Sequence, residues 1–388
     1  MKKEEVLAFI DMHEAEMVSL WKTLVNHDSG TKDKSGIDLL QGKIANILTA
    51  LGADVRFIEY EKAGNLLIAE VGKQKQVPPI VFLGHVDTVF EKGTARKRPF
   101  SIKNGKAFGP GVLDMKGGIV VLVYAIKALL ASNYKHRPLK VILAGDEENG
   151  HQASSTADAV QQECEGARAV FNCETGFVDD SIVIGRRGVA TFTMETFGVA
   201  AHVGNARKDG RSAVLEIAHK ILAIETLNDR FENISFNVGT IEGGTVPNAV
   251  PDYAKIRIDV RFDKDAEIDI FHKALEVITE QIFVEGTYSK LHQDVCFKPM
   301  ETTDDVKELF RFVQKIAEEN NLGHLKPCTV GGASDAAYAV LSGSPTVCGM
   351  GVKGAYNHSP KEYAFVDSLY ERTKLLALLV HALDEENV

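Results

Sequence analysis

The residues that could do chemistry stand where predicted strands end. His85 and Asp87 follow the apolar run "IVFLG", and Glu147 and Glu148 follow "KVILAGD". Three more ionisable residues occupy similar places: Glu174 after "AVFNC", Asp114 in the Gly-rich turn "GPGVLDMKGG", and His358 after "PTVCGMGV". Open α/β sheets place their sites at the carboxyl ends of strands. We therefore expect these side chains to lie close together.

Each of these residues has an ordinary structural explanation when taken alone. A strand-end histidine is usually hydrogen-bonded, adjacent acids usually belong to a solvated loop, and a Gly-rich turn is usually only a turn. Several carboxylates buried at one sheet edge would nevertheless be costly without cations. Two imidazoles and three carboxylates are nitrogen and oxygen ligands of the kind that zinc takes. The set predicts a dinuclear metal site.

The spacing within each pair suggests different roles for its members. Residues i and i+2 of a strand project to the same side, so Asp87 can reach the imidazole of His85. A carboxylate on the second ring nitrogen orients a metal-binding histidine. We therefore predict that His85 is a ligand and Asp87 its support. Of Glu147 and Glu148, one would bind metal while the other takes a proton from water.

The elements that must position these residues predict an α/β fold with a mixed, largely parallel sheet flanked by helices. The runs "IVFLG" and "KVILAG" do not alternate in polarity, as expected of strands covered on both faces. After about Arg186 the predicted order changes to β-α-β-β-α-β, a ferredoxin-like α+β domain. We predict a catalytic domain of residues 1–185 and 297–388, interrupted by an inserted domain of residues 186–296.

Composition excludes several classes of protein. The 388 residues carry a formal net charge of −10 and no basic block, which argues against nucleic acid as a partner. No signal peptide and no bilayer-spanning run is visible, so we expect a cytoplasmic protein without a membrane partner. The five cysteines are scattered without a CxxC pair, so neither a disulfide framework nor a thiolate zinc site is suggested.

Six motifs in register over nearly the whole chain make the prediction specific. They are "GHVDTV", "GPGVLDMKGG", "AGDEENG", "NCETG", "GGASDAA" and "NHSP". Their order and spacing resemble the co-catalytic zinc peptidases typified by glutamate carboxypeptidase (carboxypeptidase G) and aminoacylase. The resemblance implies two Zn²⁺ ions per subunit, with Co²⁺ or Mn²⁺ as substitutes. It implies that Asp114 bridges the ions, that His85 and Glu174 complete one, and that Glu148 and His358 complete the other.

The resemblance also implies roles for neighbouring residues. Glu147 would be the general base and then the general acid. The peptide bond between Asp114 and Met115 would be cis, because family members commonly have a cis bond after the bridging aspartate.

The inserted domain resembles the lid and dimerisation domain of the family. The resemblance implies that His202 in "AAHVG" assists at the scissile carbonyl, and that a homodimer forms through residues 186–296. Strand alternation alone places Arg261 on a solvated polar face, and Asn248 lies in a Pro-flanked loop. The resemblance implies that both bind the substrate's terminal carboxylate. Gly331 and Gly332 would let backbone approach the substrate closely.

These residues predict a zinc-dependent carboxypeptidase that acts on a small peptide. An N-acyl-amino-acid deacylase, which would share every catalytic residue, is the nearest alternative, and a di- or tripeptidase is a further one. Two other classes remain open: a serine hydrolase using Ser334, Asp335 and His358, and a binding protein without chemistry. No Gly-x-Ser-x-Gly elbow surrounds Ser334. Glu174, where many family aminopeptidases have aspartate, favours the carboxypeptidase and deacylase branches.

Overall fold

The computed structural model describes residues 2–72 and 77–385. The chain divides into two compact units. The larger consists of Met1–Ile184, Thr302–Thr329 and Ser334–Val388, and the smaller of Gly185–Glu301 and Val330–Ala333. Within the described ranges, no helix has the length and apolar character needed to cross a lipid bilayer.

The boundaries of the smaller unit differ from the predicted 186–296. It begins one residue earlier, ends five residues later and adds the segment Val330–Ala333. Backbone pairing explains both additions. Met300 and Arg186 exchange two hydrogen bonds of 3.0 Å, and the amide of Arg187 donates to the carbonyl of Val330 at 3.0 Å. The pattern of apolar and polar residues in the sequence does not predict isolated β-bridges of this kind.

An eight-stranded mixed sheet carries the strand ends that the sequence singled out. In spatial order its strands are Asp54–Ile58, Leu66–Val71, Leu139–Ala144, Ile80–His85, Ala169–Asn172, Thr346–Cys348, Ser181–Arg186 and Lys326–Val330. The third to sixth strands in this order run parallel, and antiparallel strands flank them. The mixed, largely parallel sheet of the α/β prediction is thus confirmed.

Helices cover this sheet. They are Lys3–Met12, Glu14–Val25, Lys34–Ala50, Thr94–Lys97, Gly117–Ala131, Thr156–Cys164, Asp304–Glu319, Ala336–Leu341 and Val366–Glu385. Gly117–Ala131 is buried on nearly every side, as its continuous apolar sequence requires, and it packs against Val366–Glu385. This helix starts three residues after Asp114, so the core fixes where the Gly-rich turn ends.

A small antiparallel sheet lies beside the Gly-rich turn. Its strands, in spatial order, are Gly354–Ala355, Tyr363–Phe365, Lys106–Phe108 and Ser101–Lys103. His358 lies in the loop between the first two of these strands. The pairing of Tyr363 with Phe108 therefore brings the His358 loop next to the chain that leads into Asp114.

The smaller unit has the β-α-β-β-α-β order that the sequence predicted. Its long elements are Gly188–Phe197, Ala213–Glu225, Ser235–Gly243, Tyr253–Phe262, Ile268–Glu280 and Tyr288–Phe297. The short ones are Ala201–His202, Val203–Ala206 and Ala249–Val250. The four long strands form an antiparallel sheet in the order Ser235–Gly243, Tyr253–Phe262, Gly188–Phe197 and Tyr288–Phe297. Its apolar face forms a separate core around Phe192, Ile258 and Phe271.

A buried lysine on Ala213–Glu225 caps the C-terminus of the helix Ile268–Glu280. The ammonium of Lys220 donates to the carbonyls of Ile278, Thr279 and Gln281 at 3.1, 2.6 and 2.9 Å. The carboxylate of Glu216 lies 3.3 Å from that ammonium. Its other oxygen accepts the amides of residues 283 and 284 at 2.9 and 2.6 Å. The pair therefore satisfies a helix C-terminus and the turn after it.

We expect Lys220→Met to destabilise the smaller unit by roughly 3–5 kcal/mol, because it leaves Glu216 buried without its partner. Hydrogen exchange of the amides in Ile268–Glu280 measures this as a local free energy of opening. Lys273→Met is the matched control, since Lys273 lies on Ile268–Glu280 itself, the helix that Lys220 caps, with a side chain that is 75% exposed. Equal protection in the two variants would show that the buried ammonium contributes nothing.

Candidate metal centre

Two groups of potential ligands share the carboxylate of Asp114. In one, Nε2 of His85 lies 3.2 Å from Oδ1 of Asp114 and 3.3 Å from Oε1 of Glu174. In the other, Nε2 of His358 lies 3.1 Å from Oδ2 of Asp114 and 3.0 Å from Oε2 of Glu148. Within each group the ligand atoms lie within 4.8 Å of one another. The structure thus brings together all five residues that the sequence proposed as ligands, with one oxygen of Asp114 facing each histidine.

Parallel pairing explains why three of these residues meet. His85 is the last residue of the buried strand Ile80–His85 and is in register with Ala144 on one neighbour. On the other neighbour Leu83 is in register with Asn172. Both neighbours run parallel to this strand, so their following residues, Glu147 and Glu148 on one side and Glu174 on the other, emerge at the same edge.

The turn that carries Asp114 depends on glycine at one tight position. Gly111 has a φ of +70°, and a Cβ built on it would lie 2.6 Å from Cγ2 of Thr88. No larger residue fits this left-handed turn without moving its neighbours. The peptide bond between Asp114 and Met115 is cis, as the resemblance implied.

Asp87 supports more of the site than the sequence predicted. Its Oδ1 lies 3.3 Å from Nδ1 of His85, and its backbone carbonyl lies 3.1 Å from the same nitrogen. Its carboxylate also accepts the backbone amides of Glu147 and Glu148, both at 3.2 Å, and the hydroxyl of Thr31 at 2.8 Å. One fully buried carboxylate therefore orients a ligand on one strand and the acidic pair on the next.

Carboxylates surround both imidazoles and raise their pKa values. Burial disfavours the charged ring of His85, but contacts with Asp114 and Asp87 outweigh it and raise its pKa well above the usual value. Hydrogen bonds to Asp114 and then Glu148 raise the pKa of His358 to about 11. Burial opposes ionisation of Asp114, yet the two imidazoles lower its pKa. The carboxylates therefore create a negative potential around both rings, which also favours a cation.

The two adjacent glutamates have raised pKa values for a common reason. Burial raises the pKa of Glu148 to about 7, against the opposing contact with His358. Burial also raises the pKa of Glu147 well above the usual value, and the charges of Glu174 and Asp335 add to this. A carboxylate with a raised pKa next to a cation site suits proton transfer near neutral pH.

The residues present fit a metal pair. Oε1 of Glu148 is buried and has no hydrogen-bond partner within the described ranges. An orphaned buried carboxylate oxygen is costly, and a cation in the adjacent group would satisfy it. Imidazole nitrogen with carboxylate oxygen is a donor set that suits zinc.

The Ser-His-Asp triad of the serine hydrolase alternative is not formed in the structure. Oγ of Ser334 accepts the side-chain amide of Asn172 at 2.9 Å. Asp335 pairs instead with the buried His151, whose Nε2 lies 2.6 Å from Oδ1 of Asp335, and His358 faces Asp114. These contacts give the three proposed triad members different partners. Sequence reasoning had no reason to single out His151.

A carboxylate that sequence reasoning missed lies directly under Asp114. Glu362 is 1% exposed and accepts the backbone amides of Gly111, Leu113 and Asp114 at 3.1, 2.8 and 3.1 Å. Asn357 is a second missed contact, because its side-chain amide donates to Oδ2 of Asp114 at 2.9 Å. The only available signal was their position beside His358 in "YNHSPKE".

A cleft opens beside Glu148 in the larger unit. Its volume is about 550 Å³, and Thr31, Val89, Asn149 and Gln152 are among the residues that line it. The lining combines apolar, amide and charged groups, with Lys32, Asp33, Glu91 and Lys92 among the charged ones. It offers room for part of a substrate next to the second ligand group.

The smaller unit holds the remaining predicted residues, and it brings His202 and Asn248 together. His202 pairs with Ala249 across two short strands, and the amide of Val203 donates to the carbonyl of Asn248 at 3.0 Å. Nδ1 of His202 accepts the amide of Gly204 at 3.2 Å. The neutral ring therefore carries its proton on Nε2, and this exposed group can donate a hydrogen bond.

Arg261 and Gly331 also lie together. The guanidinium of Arg261 binds the carboxylate of Asp259 through two bonds of 2.7 and 2.9 Å, and it donates to the carbonyl of Gly331 at 3.0 Å. Among contacts with the described residues, two of its five N–H groups remain for a ligand. Among the described residues, a Cβ at Gly331 would meet nothing within 4 Å, and one at Gly332 would meet only Nη1 of Arg186 at 3.8 Å. Within the protein, neither glycine is required by close packing.

The sequence of this chain is similar to those of known proteins over nearly its whole length. The model of peptidase family M20/M25/M40 matches residues 81–382. Carboxypeptidase G2 from Pseudomonas sp. (strain RS-16) is 30% identical, over 98% of this chain and 92% of its own. Succinyl-diaminopimelate desuccinylase from Xylella fastidiosa (strain M23) is 24% identical, over 96% and 100%.

A solved structure shows the same fold. Aminopeptidase PepT from Bacillus cereus ATCC 10987 superposes with a TM-score of 0.81 at 22% identity, over 95% of this chain and 98% of its own. The resemblance inferred from the six motifs is confirmed. The prediction that the protein is an enzyme acting on peptide or amide bonds is confirmed as well. The chain belongs to peptidase family M20/M25/M40.

Proposed function

We propose that the protein is a dinuclear zinc carboxypeptidase that hydrolyses a small peptide to release its C-terminal amino acid. The observation that carries the proposal is the sharing of Asp114 between two ligand groups, with Glu147 held beside them. The similarity to carboxypeptidase G2 over nearly the full length of both chains supports the carboxypeptidase assignment.

Glu147 is the proposed proton-transfer residue. Zinc ions bound by the two groups would supply Lewis acidity, lowering the pKa of water and polarising the scissile carbonyl. The carboxylate of Glu147 accepts a proton from water and delivers it to the amide nitrogen that leaves. Asp87 holds the backbone of Glu147 in place, so the base does not depend on a freely moving loop.

The smaller unit supplies the proposed substrate contacts. The Nε2–H of His202 is a donor suited to an oxyanion, because Gly204 fixes the ring tautomer. Arg261 and Asn248 are proposed to bind the substrate's terminal carboxylate, which suits a guanidinium with N–H groups to spare. The cleft beside Glu148 is proposed to hold the acyl half of the substrate. The homodimer through residues 186–296 and a cytoplasmic location stay predictions.

A second candidate is an N-acyl-amino-acid deacylase. The similarity to succinyl-diaminopimelate desuccinylases over nearly the whole chain favours it. The ligand groups and Glu147 would act identically, because both reactions cleave an amide whose product bears a free carboxylate. Only the acyl half of the substrate differs between the candidates.

His85→Ala and Asp87→Ala should affect zinc differently. Removing the His85 ligand should empty one of the two positions, so that bound zinc falls by half in mass spectrometry of the native protein. Removing Asp87 should retain both positions but weaken affinity roughly 10- to 100-fold, as the loss of an orienting carboxylate does. Asp158→Ala, on an exposed helix position, is the control. Identical zinc titrations for all three variants would refute the ligand assignment.

Glu147→Gln should bind zinc normally and lose activity. The amide cannot accept the proton, so kcat should fall by about 10²- to 10⁴-fold. Zinc content measured on the same sample separates loss of the base from loss of metal. Glu165→Gln, an exposed glutamate, should behave as the parent enzyme. Turnover that survives in Glu147→Gln would exclude it as the base.

A substrate panel on zinc-loaded enzyme separates the two candidates. A carboxypeptidase should prefer dipeptides ending in Glu or Asp, as the resemblance to glutamate carboxypeptidase suggests, over the matching N-acetyl amino acids. Amidating the C-terminus should lower kcat/KM by about 100-fold, because it removes the negative charge that Arg261 is proposed to bind. A chelator should abolish activity and zinc should restore it. Preference for N-acyl substrates would select the deacylase instead.

A further inference from the structure

Glu362 is the buried carboxylate that the proposed mechanism leaves without a role. Its two oxygens accept three backbone amides: Oε2 takes that of Gly111, and Oε1 takes those of Leu113 and Asp114. Burying an ionisable side chain to 1% exposure is costly unless its hydrogen bonds are made. The buried carboxylate therefore serves to satisfy the backbone amides of this turn.

The three amides belong to a turn that no regular structure satisfies. Asp114 has φ −117° and ψ 96°, and Met115 has φ −128° and ψ 37°, so this stretch is not helical although a helix follows it. Because the backbone leaves the helical path here, these N–H groups cannot be satisfied as part of a helix. Glu362 takes the place of the missing carbonyls. It thereby sets the direction in which the Asp114 side chain leaves the backbone.

The position of Glu362 in the chain joins two ligand segments. It lies four residues after His358 and immediately before the strand Tyr363–Phe365. Its carboxylate reaches across to residue 114, 248 positions away in sequence. The same side chain therefore fixes the Asp114 turn to the segment that carries His358. These are the two residues whose side chains meet in the second ligand group.

A neighbouring charge does not explain the burial of Glu362. Lys116 is also buried and interacts electrostatically with Glu362, but its ammonium donates to the backbone carbonyl of His27 at 2.7 Å. No ion pair joins the ammonium and the carboxylate within the described ranges. The contacts of Glu362 are with backbone, so its role concerns conformation.

We propose that Glu362 is a positioning residue that orients the shared carboxylate of Asp114 between His85 and His358. It does not contact the substrate. The inference rests on the proposed dinuclear centre. Since outer contacts of a ligand typically change metal affinity 10- to 100-fold, the effect should appear in zinc binding itself.

Glu362→Gln is the principal variant. It keeps the size of the side chain but turns one acceptor into an NH₂ group that faces a backbone N–H. We expect zinc affinity, measured by titrating apoenzyme against a competing chelator, to fall about 10- to 100-fold. The visible spectrum of Co²⁺-loaded enzyme should change, because the ligand geometry is altered. Glu319→Gln, on an exposed helix position, should match the parent in both measurements.

The melting temperature of the apoenzyme separates positioning from general stability. A merely structural role would lower it while leaving the zinc affinity and Co²⁺ spectrum of the folded protein unchanged, and that result would overturn the inference. If Glu362→Gln does not fold, Glu362→Asp decides, since it keeps the charge but shortens the reach. We expect its zinc affinity to be lower than that of the parent, because the shortened carboxylate cannot reach all three backbone amides. Parent-like affinity and spectrum in Glu362→Asp would then overturn the inference.

The two proposals fail in distinguishable ways. If the parent enzyme does not bind two zinc ions, the dinuclear centre is wrong whatever Glu362 does. If the parent binds two and folded Glu362→Gln binds them with equal affinity and an unchanged Co²⁺ spectrum, only the positioning role is wrong.

Discussion

The division of one carboxylate between two imidazoles is the constraint on which the larger unit depends. Oδ1 and Oδ2 of Asp114 lie 3.2 and 3.1 Å from His85 and His358, so a small rotation about its side chain would separate it from one of them. A single carboxylate cannot hold that orientation by itself. The turn with Gly111, the buried helix that follows, and the backbone contacts of Glu362 each remove some of its freedom.

The sheet has a different role: it brings several carboxylates together at one edge. Burial raises the pKa values of Glu147 and Glu148, and the charges of neighbouring carboxylates raise them further, so ionisation is unfavourable at this edge. The strands place the acids at one edge despite this cost, because the buried apolar residues of each strand determine where it lies and each acid is covalently attached to its strand. The core thus stabilises an arrangement that its polar end alone would disfavour.

How far the sequence could anticipate this structure depended on the kind of contact. His85, the Glu147–Glu148 pair and Glu174 could be placed together because parallel strands end at a common edge. Asp114 and His358 lie in loops, where no periodicity operates, and their partners came from the resemblance. The role of Glu362 was not predicted, because a contact between residues 248 positions apart leaves no local pattern in the sequence. For Arg261 the pattern was there: Asp259 precedes it by two residues on the same strand face, so the pairing was predictable.

The contacts of Asp87 have a consequence for how the sequence can vary. Because one carboxylate holds both the His85 ring and the backbone of residues 147 and 148, a change at the end of one strand alters the loop after the next. Mutations at these positions are therefore expected to be epistatic, with the effect of one depending on the residue present at the other. Evolution would tolerate compensated pairs of changes here more readily than single ones.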